Sequence, residues 1–227
     1  MVASIERVRE VRERLVNAGT IVGPDGRSRK LFPVAIGIDE GAALRGWVRE
    51  EGARRTLEVG LGFAISTLFI LEGLLENGSD VPHVAADPYQ LKSLPTHRTT
   101  YAGVGLHILE EAGVRDLVEF HAEQSQIVLP RLLAEGRELD FVFLDGNHRF
   151  EAVFVDLFYS GRLLRDRGIV FVDDTQLPGV RRAVDFYVAN LGWAIEDGGE
   201  EGTHEWLVVR TGPRDAFFRP YAEFVDF

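Results

Sequence analysis

The chain has 227 residues, 45% of them hydrophobic and 27% charged, with a formal net charge of −11 and no cysteine. That length suits one large α/β domain, and the lack of cysteine excludes disulfides, thiolate–zinc sites and cysteine nucleophiles. So negative a surface repels phosphate backbones and anionic lipids, so neither nucleic acid nor a membrane surface is an expected partner.

Ile5, Val8, Val11, Leu15 and Ala18 recur at helical spacing among arginines and glutamates, which predicts an amphipathic helix over 4–18 outside the main sheet. Its apolar stripe suits either its own domain or a second copy, so a homo-oligomer stays open. The segment lacks the apolar stretch of a secretory signal, and no run reaches the ~18 apolar residues of a membrane span; a cytoplasmic location is the expectation. Residues 19–37 are rich in Gly and Pro and read as a loop. Helix and loop together form an extension, 1–37, ahead of a main domain over 38–227. Asp39 then precedes an apolar-periodic run (Ala42, Ala43, Trp47, Val48) and reads as a helix cap.

From Thr56 onward strands and helices alternate. Strands are predicted at Thr56–Val59, His83–Ala86, Val118–His121, Asp140–Leu144 and Gly168–Val172. Helices follow them over Ala64–Asn77, Tyr101–Ala112, Ser125–Glu135, Phe150–Leu164 and Gly179–Asn190. Two last strands, Trp193–Glu196 and Glu205–Val209, lack a helix between them and read as a hairpin across Asp197–Gly202. The pattern predicts an α/β fold: a Rossmann-like, doubly wound, mostly parallel sheet with helices on both faces and an antiparallel C-terminal edge.

In such sheets ligands lie beyond the C-terminal ends of the strands, and that is where the polar residues collect. The first strand runs into Glu58-Val59-Gly60-Leu61-Gly62. Gly60 and Gly62 allow a tight turn and a close backbone approach to a ligand. Ile65 stands where a dinucleotide fingerprint carries its third glycine. Glu58 would repel a pyrophosphate but suits a ligand that carries a sulfonium and an ammonium group. An ordinary tight turn with a solvated Glu58 is the alternative. Asp87 ends the second strand, where its carboxylate can accept from both hydroxyls of a ribose or cap a turn before Pro88. After the third strand, Gln124 and Ser125 are candidates to meet an adenine edge, with Ser125 also placed to cap the next helix.

The fourth and fifth strands run into Asp145-Gly146-Asn147-His148 and Asp173-Asp174-Thr175. Converging carboxylates repel one another unless a cation or a shared proton relieves them. Asp145, Asp173 and Asp174 offer the hard oxygen donors that suit Mg²⁺, which would bind a substrate hydroxyl and lower its pKa. The alternative gives Asp145 a cofactor ammonium and makes the aspartate pair a loop cap. His148 is a candidate general base, with Asp145 as its catalytic partner. His83, His97, His107, His121 and His204 have no evident partner and read as structural or exposed. Tyr89, Lys92 and His97 lie in a loop able to overhang the ligand edge.

Taken together, LEVGLGFAIST, AADPYQ and FVFLDGNHRFEAVFVDLFYSGRLLRDRGIVFVDDTQLPGVRRAVDFYV resemble class I S-adenosylmethionine-dependent O-methyltransferases, most of all the bacterial macrocin and mycinamicin type, over roughly residues 35–210. The resemblance implies S-adenosyl-L-methionine as cofactor, with Glu58, Gly60 and Gly62 at its methionine part and Asp87 at its ribose. It implies Mg²⁺ on Asp145, Asp173 and Asp174, His148 as a base, and a small-molecule acceptor with a hydroxyl group. Two positions depart from the pattern: Ala64 stands where many relatives carry Gly, and Glu123-Gln124 replaces a Gly-Asp pair before the adenine helix. Two other functions compete. One is a metal-independent methyltransferase using His148 alone. The other is a NAD-dependent oxidoreductase, against which the missing third glycine and Glu58 both count.

Overall fold

A computed structural model describes residues 4–91, 101–213 and 223–227. In chain order the elements are α1 (Ile5–Ala18), β1 (Thr20–Val22), β2 (Ser28–Lys30), α2 (Ile38–Glu50), β3 (Thr56–Val59), α3 (Ile65–Glu76), β4 (His83–Ala86) and α4 (Val104–Glu111). They continue with β5 (Val118–His121), α5 (Ser125–Ala134), β6 (Leu139–Leu144), α6 (Phe150–Leu163), β7 (Leu164–Val172), α7 (Pro178–Leu191), β8 (Ala194–Glu201) and β9 (His204–Arg210). The chain divides into two compact units. One comprises the residues up to Arg54 and Gly60–Gln124; the other comprises Arg55–Val59 and the residues from Ser125 onward. The chain passes between them at Val59–Gly60, inside the glycine turn.

In the first unit α1 starts at Ser4, whose Oγ accepts the Arg7 N–H, and ends at Gly19 in the left-handed conformation with φ 62°. It buries Val8, Val11 and Leu15, the stripe that the periodicity marks. A polar clamp adds to this packing. Glu72 of α3 is fully buried and meets Arg9 at 2.6 Å, Arg12 at 3.1 Å and Arg45 at 3.3 Å. A buried carboxylate needs such partners, because without them its desolvation is uncompensated. β4 and β5 pair in parallel, from His83 opposite Val118 to Ala86 opposite His121.

The second unit carries the strands in the order β3-β6-β7-β9-β8. β3, β6 and β7 are parallel, and β9 and β8 add an antiparallel edge. Every residue of β6 is buried, as is the Gly168–Val172 stretch of β7, which explains why Phe141–Leu144 and Ile169–Val172 read as unbroken apolar runs rather than alternating ones. The ladder continues past the strand ends. Asp145 N–H donates to the Val59 carbonyl at 2.9 Å and Asp173 N–H donates to the Leu144 carbonyl at 3.1 Å. The segments after β3, β6 and β7 therefore leave one edge of this sheet at matched height.

The fold class is as expected, but several local features differ. The Gly/Pro-rich stretch 19–37 contains the hairpin β1–β2, whose three-residue strands are too short and too polar to show a pattern. α2 begins at Ile38 after Gly37, with no side-chain cap; Asp39 sits inside the first turn, where its charge favours the helix dipole. The final hairpin is longer than expected: β8 runs to Glu201, and Glu201 pairs with His204. Its Gly198-Gly199 pair reads as a turn, yet a Cβ at Gly199 would collide with the Trp206 ring. These glycines make room for a cross-strand tryptophan and do not turn the chain.

Candidate functional site

Within the first unit the glycine turn and the end of β4 are joined by hydrogen bonds. Gly60 N–H donates to the Ala86 carbonyl at 2.9 Å, and Gly62 N–H donates to Asp87 Oδ2 at 3.0 Å. Gly60 (φ 97°), Gly62 (φ 49°) and Ala64 (φ 62°) all lie in the left-handed region. That region is free for glycine and strained for alanine. Asp87 is 2% exposed. Burial raises its pKa, while hydrogen bonds from Gln90 and from the backbone of Tyr89, Gly62 and Leu61 pull it back down. The Tyr89 N–H bond to Asp87 Oδ1, at 2.7 Å, closes the Asx-type turn anticipated before Pro88. The same carboxylate thus caps its own turn and fastens the glycine loop. Gln90 is a missed residue: its Nε2 donates to the Gly62 carbonyl at 2.7 Å and to Asp87 Oδ2 at 3.0 Å. Only its place three residues after Asp87 hints at this. Gln124 ends the unit and is exposed.

In the second unit Glu58, fully buried on β3, lies opposite Phe143 of β6, and its charge acts on Asp145 two residues further along. Asp145, His148 and Asp174 form one group, with ligand atoms within 4.8 Å of one another; Asp173, Asp174 and His204 form a second. The three aspartates expected to share one ion thus fall into two overlapping groups, each completed by a histidine. His148 lies between two carboxylates, with Nε2 at 3.3 Å from Asp145 Oδ1 and Nδ1 at 3.1 Å from Asp174 Oδ2. Asp174 Oδ1 meets His204 Nδ1 at 3.2 Å and accepts Gln176 Nε2 at 2.6 Å. Gln176 also accepts the Glu205 N–H at 2.8 Å, tying the aspartate loop to β9. Asp173 Oδ1 accepts the Asp174 N–H at 2.6 Å.

Charge follows from this packing. Burial pushes Asp145 above the usual carboxylate range, with Asp174 and Glu58 adding to the rise and His148 opposing it. The hydrogen bond to Asp145, reinforced by the charges of Asp145, Asp174 and Asp173, raises His148 above its ordinary value despite burial. Both ring nitrogens of His148 thus face carboxylates. Asp174 itself has φ 56°, a strained placement that its three side-chain partners hold.

Ser125 opens α5, and its side chain bonds to Asp156 of α6. Asp156 lines a small cleft with Gly146, Asn147, His148 and Asp173. His204 and Gln176 join the candidate residues here; Gln176 stands two residues after Asp174, whereas nothing in the sequence order links His204 to it. Tyr89 lies in the turn after β4, whereas Lys92 and His97 fall outside the described residues.

Comparison with known proteins identifies the fold and the family. A family model described as a methyltransferase domain matches residues 57–175, more than half of the chain. The chain belongs to the methyltransferase-domain family. A caffeoyl-CoA O-methyltransferase from Populus kitakamiensis is 28% identical over 163 residues, covering 68% of this chain and 61% of the plant enzyme. This methyltransferase-domain chain thus spans less than two thirds of that relative's length. Two solved structures share its fold at low identity. An O-methyltransferase from Bacillus cereus in complex with S-adenosylhomocysteine is 17% identical, with a TM-score of 0.66 and 93% of each chain covered. The O-methyltransferase TomG from Streptomyces achromogenes, involved in tomaymycin synthesis and in complex with S-adenosylmethionine, is 20% identical, with a TM-score of 0.66 and 91% and 90% coverage. The expected Rossmann-like α/β class matches both.

Proposed function

We propose that this chain is an S-adenosylmethionine-dependent O-methyltransferase acting on a hydroxyl of a small molecule, with a divalent cation held by Asp145 and Asp174. The carrying observation is the Asp145–His148–Asp174 group at the C-terminal edge of a methyltransferase-family sheet. In this reading Glu58, Gly60 and Gly62 serve the methionine end, Asp87 the ribose, and Gln124 and Ser125 the adenine. The relatives that carry the name O-methyltransferase support oxygen as the acceptor atom.

The donor set fits an oxygen-preferring ion such as Mg²⁺ or Mn²⁺: two clustered carboxylates with a third beside them, offset only by imidazoles that can yield their protons. Asp145 and Asp174 would be its ligands, with Asp173 fixing the Asp174 backbone. Such an ion, when bound, lowers the pKa of an acceptor hydroxyl. The chain's own part is alignment of acceptor oxygen and methyl carbon, exclusion of water, and control of one proton. That proton belongs on His148, which can receive it only as the neutral imidazole, through the ring nitrogen that carries no proton.

The bridging position of His148 favours a second reading. A ring that already bridges both carboxylates holds them together without a metal, and in its neutral form it serves as the sole base in this second reading. A chelator separates the two. The metal-assisted reading expects methyl transfer from labelled S-adenosylmethionine to a panel of hydroxyl acceptors to stop in excess chelator and to resume with Mg²⁺. Asp145→Ala should lower turnover roughly 10²–10⁴-fold while S-adenosylhomocysteine still binds by calorimetry. Full turnover in chelator removes the metal but keeps the transferase; binding of NAD in place of S-adenosylhomocysteine removes both.

A further inference from the structure

Gln90 has the most constrained polar side chain near the glycine turn. It is fully buried. Its Nε2 gives one hydrogen bond to the Gly62 carbonyl and one to Asp87 Oδ2, at 2.7 and 3.0 Å. Two acceptors on a single nitrogen fix the amide's orientation, since the flipped amide would set oxygen against oxygen. Gly62 N–H closes the ring by donating to the same Asp87 Oδ2 at 3.0 Å. One side chain therefore holds the donor and acceptor of Gly62 against one carboxylate oxygen.

Three neighbours keep the ring in place. Gly103 N–H donates to the Gln90 carbonyl at 2.7 Å, and Tyr101 N–H donates to the Tyr89 carbonyl at 3.0 Å. Gly105, on α4, is bare where a Cβ would lie 2.6 Å from the Gly62 carbonyl oxygen and 3.1 Å from Gln90 Oε1. Gln90 Oε1 is buried with no partner among the described residues, a cost that a freely chosen side chain would avoid. A polar group kept under such cost points to a task that an apolar side chain cannot do.

We propose that Gln90 is a positioning residue for the cofactor's ribose: it sets the Asp87 carboxylate and the Gly62 peptide in the one arrangement that receives the sugar hydroxyls. The inference rests on the S-adenosylmethionine reading above. It divides the labour on Asp87. Oδ2 is committed to the turn through Gly62 and Gln90, and Oδ1, which takes the Tyr89 N–H, is the oxygen aimed at ligand. Donors to the carboxylate also oppose the pull of burial on its charge.

Calorimetry with S-adenosylhomocysteine tests this on wild type, Gln90→Met and Gln90→Glu from pH 5.5 to 8.5, with thermal unfolding of each. Gln90→Met is expected to weaken binding about 10- to 100-fold, the size of one or two charge-assisted hydrogen bonds. In the isosteric Gln90→Glu a second carboxylate faces Asp87 and the Gly62 carbonyl. Binding should be weak at pH 8.5 and strengthen relative to wild type as the new carboxyl gains a proton. A merely structural role has no such profile. Gln90→Met within twofold of wild type overturns the proposal. If Gln90→Met does not fold, Gln90→Glu decides: affinity that follows the wild-type pH curve overturns it. Wild type that binds no S-adenosylhomocysteine overturns the parent reading, and this one with it.

Discussion

The two units meet the same chemical problem, a buried carboxylate at the end of a parallel strand, in different ways. Around Asp87 the compensation comes from fixed donors: the N–H groups of Gly62 and Tyr89 and the amide of Gln90. Around Asp145 and Asp174 it comes from His148 and His204, which are charged only while protonated. Amide donors cannot be titrated or displaced, so the first arrangement is set once the chain folds. Imidazoles give up protons near neutral pH, so the second stays open to exchange. A group meant to shape a turn is well served by the first kind, and a group meant to take a cation or a proton by the second.

If this contrast is real, removing each carboxylate should have opposite consequences for folding. Asp87→Ala leaves the N–H donors of Gly62 and Tyr89 without an acceptor and removes one of the two acceptors of Gln90, and should cost about 4 kcal/mol, at 1–3 kcal/mol for each group left unsatisfied. Asp174→Asn removes one of several clustered negative charges, keeps a side chain that tolerates the left-handed backbone, and should change stability by less than about 1 kcal/mol. Urea unfolding of both variants without added metal checks the pair. Equal losses would erase the distinction.

Asp156 sharpens the comparison, because it has neither kind of full compensation. Its Oδ1 is buried without a partner among the described residues, and burial raises its pKa to about 6, with Ser125 pulling the other way. The folded value thus lies above the unfolded one, near 3.8. Its contribution to stability is then full below about pH 4 and is lost as pH rises through about 6. The whole effect is at most about 3 kcal/mol, at 1.36 kcal/mol per pH unit. Unfolding midpoints of wild type and Asp156→Asn, whose amide stands in for the neutral carboxyl, should agree near pH 4 and separate by pH 7.5, with the variant showing the shallower fall. Parallel curves would mean that Asp156 titrates normally.

Much of this was legible in the sequence, for reasons that the same residues make clear. Phe141–Leu144 of β6 and Ile169–Val172 of β7 are apolar throughout and buried, so both strands and the aspartates just beyond them could be placed from local pattern. Glu58, Asp87, Asp145 and Asp173 needed only a strand end and a side chain type. Gln90, Gln176 and His204 needed more. Each acts through a partner brought close by turns or by antiparallel pairing, as when β9 carries His204 to Asp174. Ser125 has a partner that local pattern does not show: its side chain meets Asp156 on another helix.

Backbone strain divides the two regions in the same way, and it gives the smallest expected effect. Ala64 and Asp174 are both non-glycine residues in the left-handed region, at φ 62° and φ 56°. Asp174 is held there by His148, Gln176 and His204, so its strain is coupled to the chemistry of the cluster. Ala64 has only a methyl group, and its conformation is imposed by the turn, through its N–H bond to the Leu61 carbonyl at 2.7 Å and the start of α3. Glycine at 64 should relieve strain of roughly 1–2 kcal/mol and give back roughly 0.4–1 kcal/mol through the freer unfolded chain. The net is a gain of up to about 1 kcal/mol, or a rise of about 2–4 °C in Tm, with S-adenosylhomocysteine affinity unchanged. A fall in Tm would show that the methyl group packs better than its backbone suffers. The fixed side of the molecule would then be fixed by side-chain packing as well as by hydrogen bonds.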